Sequence, residues 1–262
     1  MEEGNEMSFL EHLEELRWRL VRSVIAIVVL AIGLFVCLEW IMDNIFLSMN
    51  SENFISYRVM CEYVNLCVEV TPVKAQGLKM TSQFSYALLI SFLGGFIIAF
   101  PYVFYQLWSF VKPGLRQNER KTFSGIVFYV SLLFFFGVLF GYFVVAPMCV
   151  QFFGEFRISP DIETNPGIDS YVSLITSTVF YTGLLFLLPV VIFLLSKIGI
   201  VTPAFLKKYR KHAIVGVLVL SAIITPPDFI SQIIVSIPIL ILYEIGIILS
   251  KRVEKEQLIK QS

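Results

Sequence analysis

Charge is what this chain has least of. Only 15% of its 262 residues are Asp, Glu, Lys or Arg, against 57% hydrophobic, and the charges cluster where a water-facing surface would need them spread. That excludes a soluble globular domain. Histidine is nearly absent: His12 opens HLEEL, not HExxH, so the helix-spaced zinc pair is missing, and His212 stands among lysines at the edge of an apolar run. No serine lies in a GxSxG turn and no GxxxxGK[ST] loop occurs, which argues against an intramembrane protease and an ATP-driven pump. Internal repeats, low-complexity tracts and a soluble domain of any size are also missing. No small-residue cleavage site follows the first apolar run, so that run is read as a span.

What is present is long apolar runs. Apolar windows near the roughly 20 residues needed to cross a bilayer lie at about Ser23–Trp40, Gln83–Val111, Thr122–Val150 and Ser170–Ser196, free of charge but for Glu39 at the end of the first. A fifth, Ala213–Ile224, reaches only roughly 18 Å before the turn signal Thr225-Pro226-Pro227-Asp228. A sixth, about Phe229–Ser250, is of normal length. Residues 213–250 are therefore either a short helical pair under a thinned bilayer or a re-entrant hairpin. The fold class expected is an all-α polytopic membrane protein of six spans. Pro101, Pro147, Pro189 and Pro238 fall inside or at the ends of spans, where each kinks its helix and frees a carbonyl.

Sixteen of the 20 Lys and Arg fall on one side of these spans, and only Arg58, Lys74, Lys79 and Arg157 on the other. The positive-inside rule then puts both termini in the cytoplasm. The domain reading is an amphipathic cytoplasmic helix over 1–20, a six-span membrane domain over 21–250 and a cytoplasmic tail over 251–262. Between spans one and two an outward loop of about forty residues, with alternating Val, Tyr, Cys and Leu, reads as short extended pieces or one amphipathic turn. Its Cys61 and Cys67 are spaced to allow a disulfide in an oxidising compartment without requiring one. Cys37 and Cys149, in apolar runs, read as packing residues.

Ionisable groups deep in a span would mark a solute pathway, but spans two, three and four carry none. Glu39 sits at the outward end of span one; Glu244, seven residues before Lys251, reaches interfacial water or a neighbouring polar group. A secondary transporter for a small solute or ion is the alternative reading, weakened by that absence. On the cytoplasmic side, Ser8 and Glu11 have capping-box spacing, so a helix is expected to start near Phe9 and run into span one. Glu11 and Glu15 share a face of it, and Glu15 and Arg19 stand at i, i+4. Intrahelical ion pairing accounts for that pattern; so would a binding face. In the loop KPGLRQNERK, Glu119 is the lone acid among Lys112, Arg116, Arg120 and Lys121.

Seven stretches together resemble the TatC family, the receptor subunits of the twin-arginine protein translocase. They are HLEELRWRL (His12–Leu20), FPYVFYQLWSFVKPGL with NERK (Phe100–Lys121), GYFVVAP (Gly141–Pro147), Asp169–Tyr171, GIVTP (Gly199–Pro203), TPPDFISQ (Thr225–Gln232) and IPILILYEIG (Ile237–Gly246). The resemblance implies that Glu15 and Glu119 receive the paired arginines of a signal peptide. A guanidinium makes planar, bidentate, charge-assisted bonds with a carboxylate that lysine cannot copy. Arg17, Arg19, Arg120 and Phe110 join this signal-peptide site, with Arg17 and Arg19 orienting the helix. Pro101, Pro113, Asp169, Pro226, Pro227, Asp228 and Glu244 match the family's structural motifs.

The resemblance further implies a non-enzymatic subunit of the cytoplasmic (inner) membrane that carries folded precursors outward on the proton-motive force. TatA-like and TatB-like single-span subunits, the lipid bilayer and further copies of the chain are its implied partners. No cofactor, metal or nucleic acid is implied. Kinked helices forming a concave bundle, with two short C-terminal spans at a thinned end, are the implied shape. Two departures stand out. Leu187 occupies the position before Pro189 where many members carry Glu or Gln, with Ser173, Ser177, Thr178, Tyr181 and Thr182 as substitutes or as packing hydroxyls. The first outer loop also lacks a proline near its start.

Overall fold

The computed structural model describes residues 9–51, 53–64, 81–111, 125–156, 159, 167–225 and 229–261. Among them the ordered elements are helices, with no strand. Helix α1, Phe9–Val36, carries the charged lead-in and the first apolar run as one piece. At 1.5 Å per residue its 28 residues reach about 42 Å, more than the bilayer core. The short helix α2 (Leu38–Ile41), a π-helical turn (Met42–Phe46) and a 3₁₀ turn (Leu47–Asn50) follow. Helix α3, Ile55–Val64, then resolves the first outer loop as helical where described, not extended. Its amphipathic pattern is a helix's, with Phe54 and Tyr57 buried and Ile55 and Val59 exposed.

Helix α4 (Ser82–Val111) contains Pro101 without a break. Span three is α5 (Ile126–Phe140), a π-helical turn (Gly141–Val145) and α6 (Ala146–Glu155), with Pro147 in the first turn of α6. Span four divides likewise into α7 (Ile168–Leu185) and α8 (Leu188–Lys197), with Pro189 opening the second piece. Proline is tolerated there because the first turn of a helix needs no intrahelical donor. The chain closes with α9 (Pro203–Lys208), α10 (Arg210–Ile224) and α11 (Phe229–Gln261), the last containing Pro238.

Five stretches are long and apolar enough to cross a membrane: His12–Val36, Ser82–Phe110, Ile126–Gly154, Ile168–Lys197 and Gln232–Glu256. The fifth apolar run of the sequence is α10, at 15 residues. Only one of the last two spans is therefore short. The 33 residues of α11 continue past Ser250 because KRVEKEQLIKQ is rich in good helix formers, and Val253 is still buried.

Two compact units divide the chain, Met1–Glu39 with Ala87–Leu132, and Trp40–Tyr86 with Leu133–Ser262. In the first, α1 lies against α4 at Gly95, where a Cβ would stand 2.9 Å from both Ala31 N and Ile27 O. Only a residue without a side chain lets two helix backbones approach so closely. In the second, Val145, Cys149, Val217, Val235 and Ile239 form one buried cluster, and Ile192, Leu206, Tyr243 and Ile247 another. Tyrosines tie the segment after α2 into this unit. Tyr142 donates to Ile45 O at 2.8 Å and Tyr171 to Phe46 O at 2.7 Å. Each satisfies a carbonyl in the π-helical turn, worth about 0.5–1.5 kcal/mol. Elsewhere large apolar side chains lie open, Val29, Ile32, Val36, Phe128 and Tyr129 among them, as a lipid-facing surface requires.

Cys61 is disulfide-bonded, while Cys37 and Cys149 are not in disulfides. Cys67, the partner that the spacing offers, lies outside the described residues.

Candidate functional site

The first turns of α1 set His12, Glu15 and Arg19 on one face by helical spacing. Glu15 Oε1 accepts from both Nε and Nη2 of Arg19, at 3.0 and 2.5 Å. This is the i, i+4 pair that the spacing allowed, and at partial exposure it is worth only a few tenths of a kcal/mol. Arg17, two residues from Glu15, points to the opposite side, exposed and without an ion pair among the described residues.

Phe110, one residue before the end of α4, stacks on the His12 ring, with centroids 4.2 Å apart and planes 17° apart. The contact joins the start of α1 to the end of α4 and is worth about 0.5–1.5 kcal/mol beyond its buried area. Periodicity could not have revealed it. A histidine and a phenylalanine 98 positions apart leave no common pattern in one sequence.

Glu15 Oε2 is buried and has no hydrogen-bond partner among the described residues. A buried carboxylate oxygen left without a donor costs about 1–3 kcal/mol or more, so this atom gains from any donor that a small movement lets reach it. Its twin oxygen already holds a guanidinium in place. A second guanidinium, planar and carrying five donors, suits such a vacancy better than an ammonium. Glu119, Arg120 and Pro113 lie outside the described residues.

The remaining motif residues take structural places. Pro101 sits within α4, and Asp169 in the first turn of α7, where a carboxylate complements the helix dipole. Glu244 Oε2 accepts from Arg210 Nη2 at 2.6 Å, tying α11 to the start of α10, so of the two partners open to it in sequence it has taken a neighbouring side chain. Pro226, Pro227 and Asp228 lie outside the described residues. Leu187 stands at the break between α7 and α8, half-buried. Of the hydroxyls near it, Thr178 and Thr182 are buried within the chain's own packing, and Ser177 donates back to Ser173 O. Tyr181 is half-exposed. Among the described residues no group of three or more His, Cys, Asp or Glu is arranged to hold a metal.

Known proteins resemble the chain along nearly its whole length. The family described as "Sec-independent protein translocase protein (TatC)" matches residues 11–238. A TatC of Blattabacterium sp. subsp. Periplaneta americana is 39% identical, covering 97% of this chain and 99% of its own. The TatCy protein of Bacillus subtilis is 36% identical over 94% of this chain and 90% of its own. A crystal structure of the twin-arginine translocase receptor TatC superposes with a TM-score of 0.69 at 32% identity, covering 93% of this chain and all of that one. The chain is a multi-pass membrane protein and belongs to the TatC family of Sec-independent protein translocase proteins.

Proposed function

We propose that the chain receives twin-arginine signal peptides of folded precursors at the start of α1, with Glu15 and Glu119 each holding one arginine. The observation that carries this reading is the open, buried Oε2 of Glu15 beside an Oε1 already engaged by Arg19. Arg19 positions the carboxylate, and the Phe110–His12 stack holds the turn that presents it. Arg120 and Arg17 complete the site as its basic surround. Two acids for two arginines, one of them in the first turns of a helix that continues into the apolar run, let a leader place its charged pair at the surface and its own apolar segment in the bilayer.

The chain acts in this reading as a binding and assembly subunit, not an enzyme, together with TatA-like and TatB-like single-span subunits and further copies of itself. It lies in the cytoplasmic (inner) membrane with both termini inside. Residues 1–20 are the cytoplasmic receptor segment, 21–250 the membrane domain and 251–262 the cytoplasmic tail. Supporting the orientation are the 16 of 20 cations on one side and a disulfide-bonded Cys61 on the other, where an oxidising compartment would preserve it.

The test is photo-cross-linking of an Arg-Arg signal peptide and its Lys-Lys variant to the purified chain and to Glu15→Ala and Glu119→Ala. Each single change should weaken Arg-Arg capture about tenfold or more, as loss of a charged hydrogen bond does. Equal labelling of both peptides by all three proteins would remove the reading.

A further inference from the structure

The segment joining α8 to α10 is held rigidly just past the apolar stretch that ends at Lys197, and presents cations and apolar side chains together. Gly199, at φ 78°, ends α8 in a Schellman turn: Gly199 N donates to Ser196 O at 3.1 Å and Ile200 N to Leu195 O at 3.0 Å. Thr202 then caps α9, its hydroxyl accepting from Phe205 N at 3.2 Å. Tyr243 of α11 donates to Leu206 O at 2.9 Å, and Pro203 and Leu206 are buried. The inner face of α9 is thereby fixed, and its outer face is fixed with it.

That outer face and the residues flanking α9 carry two kinds of side chain. Ile198, Ile200, Phe205 and Tyr209 are 63%, 68%, 50% and 40% exposed, directly after the apolar stretch that ends at Lys197. Lys207, Lys208 and Lys211 are exposed and make no ion pair among the described residues. Among the described residues of α8 to α11 the acids are all on α11, and two are occupied: Glu244 by Arg210, and Glu256 by Lys197 at 3.0 Å. Glu254 remains against Lys207, Lys208 and Lys211, the second of which lies over the Tyr209 ring at 5.9 Å, and against Lys251, Arg252 and Lys255. A water-facing surface has no use for four open apolar side chains, and an acidic protein partner would not need them at this depth. A lipid headgroup with its first methylenes matches both sets.

We propose that Lys207, Lys208 and Lys211 form a binding site for the phosphate of anionic glycerophospholipids, with Ile198, Ile200, Phe205 and Tyr209 set among the glycerol and upper acyl chains. The site anchors the start of α10, the helix too short to cross the bilayer unaided, at a chosen depth. It requires these residues to lie at a membrane edge and is independent of which side that edge faces and of signal-peptide binding.

The test uses the purified full chain in mild detergent, with bound lipid counted by native mass spectrometry. Short-chain phosphatidylglycerol, phosphatidylcholine of the same chains and inorganic phosphate are the probes. Phosphatidylglycerol should bind in preference to phosphatidylcholine, and free phosphate should not displace it. Lys207→Gln, Lys208→Gln and Lys211→Gln should each weaken phosphatidylglycerol binding about fivefold, as removal of one cation near an anionic surface does. The triple Lys→Arg variant should bind normally, which separates lost charge from lost fold. Arg22→Gln with Arg58→Gln, removing charge elsewhere, should change nothing. Equal binding of the two lipids would overturn the site and leave the lysines to an acidic protein segment. Displacement by free phosphate, or equal losses from the Arg22 and Arg58 changes, would overturn it as well.

Discussion

Ser56 donates its hydroxyl hydrogen to the carbonyl oxygen of Phe143, four residues ahead of Pro147. In an uninterrupted α-helix that carbonyl would take the N–H of residue 147, which proline lacks. The break in span three thus creates an acceptor, and α3 in the outer loop supplies its donor. Tyr57, the next residue, donates to the carbonyl of Pro147 itself at 3.4 Å.

Ser56→Ala should cost about 1–2 kcal/mol in thermal unfolding of the detergent-solubilised chain, because the Phe143 carbonyl loses its donor. In a Pro147→Ala background, where a backbone N–H returns, the same change should be nearly silent. Equal costs in the two backgrounds would show that Ser56 does not act through the proline.

Burial pushes the Tyr57 hydroxyl up from 10.0 to about 12. The folded chain therefore keeps the proton over a range where the unfolded chain loses it. Its contribution is fully present below pH 10 and drains away as pH rises toward about 12. Melting temperature followed across that window should fall more steeply for the unaltered chain than for Tyr57→Phe; parallel curves would remove the assignment.

Gly95→Ala places a methyl group against the backbone of α1 and should destabilise by about 1–3 kcal/mol. Gly33→Ala meets nothing within 4 Å and should stabilise α1 by about 0.5–1 kcal/mol through helix propensity alone. Denaturation of the two variants should therefore move in opposite directions.

Phe110→Ala removes the ring that packs on His12 and should loosen the first turns of α1 without unfolding the chain. Hydrogen exchange at residues 12–19 should quicken, and capture of an Arg-Arg peptide should weaken by about three- to tenfold, the equivalent of an aromatic pair. Phe110→Tyr should keep both properties. Unchanged exchange in Phe110→Ala would mean that the stack does not hold the helix.

A membrane-permeant maleimide should label exposed Cys37 in the folded, unreduced chain and leave buried Cys149 untouched until unfolding. Cys61 should react only after reduction. Labelling of Cys61 without reductant would contradict its disulfide.

Much of the fold was legible residue by residue. The divisions of spans three and four beside Pro147 and Pro189 and the shortness of α10 follow from local chemistry: a missing N–H and the length of an apolar run. The second shortened span was not borne out, since Lys and Glu after Ser250 prolong α11 as readily as apolar residues do. The helix in the first outer loop was half legible, because its ten residues of mixed Tyr, Val and Cys fit a turn or a strand equally until Tyr57 finds its burial partner. Of the candidate site, the Glu15–Arg19 pair was readable from spacing, and the Phe110 stack was not.

By itself the amino-acid order determined that this chain is a set of membrane-length helices, where prolines interrupt them, and which family it belongs to, because hydropathy, missing donors and motif residues are properties of neighbours along the chain. Tertiary structure alone decided which partner each polar atom finds: Ser56 for Phe143, Tyr171 for Phe46, Arg210 for Glu244, and, among the described residues, none for Glu15 Oε2. A hydrogen bond acts over about 3 Å in space and is indifferent to the separation along the chain, so residues 125 positions apart can satisfy one another and leave no mark in the sequence.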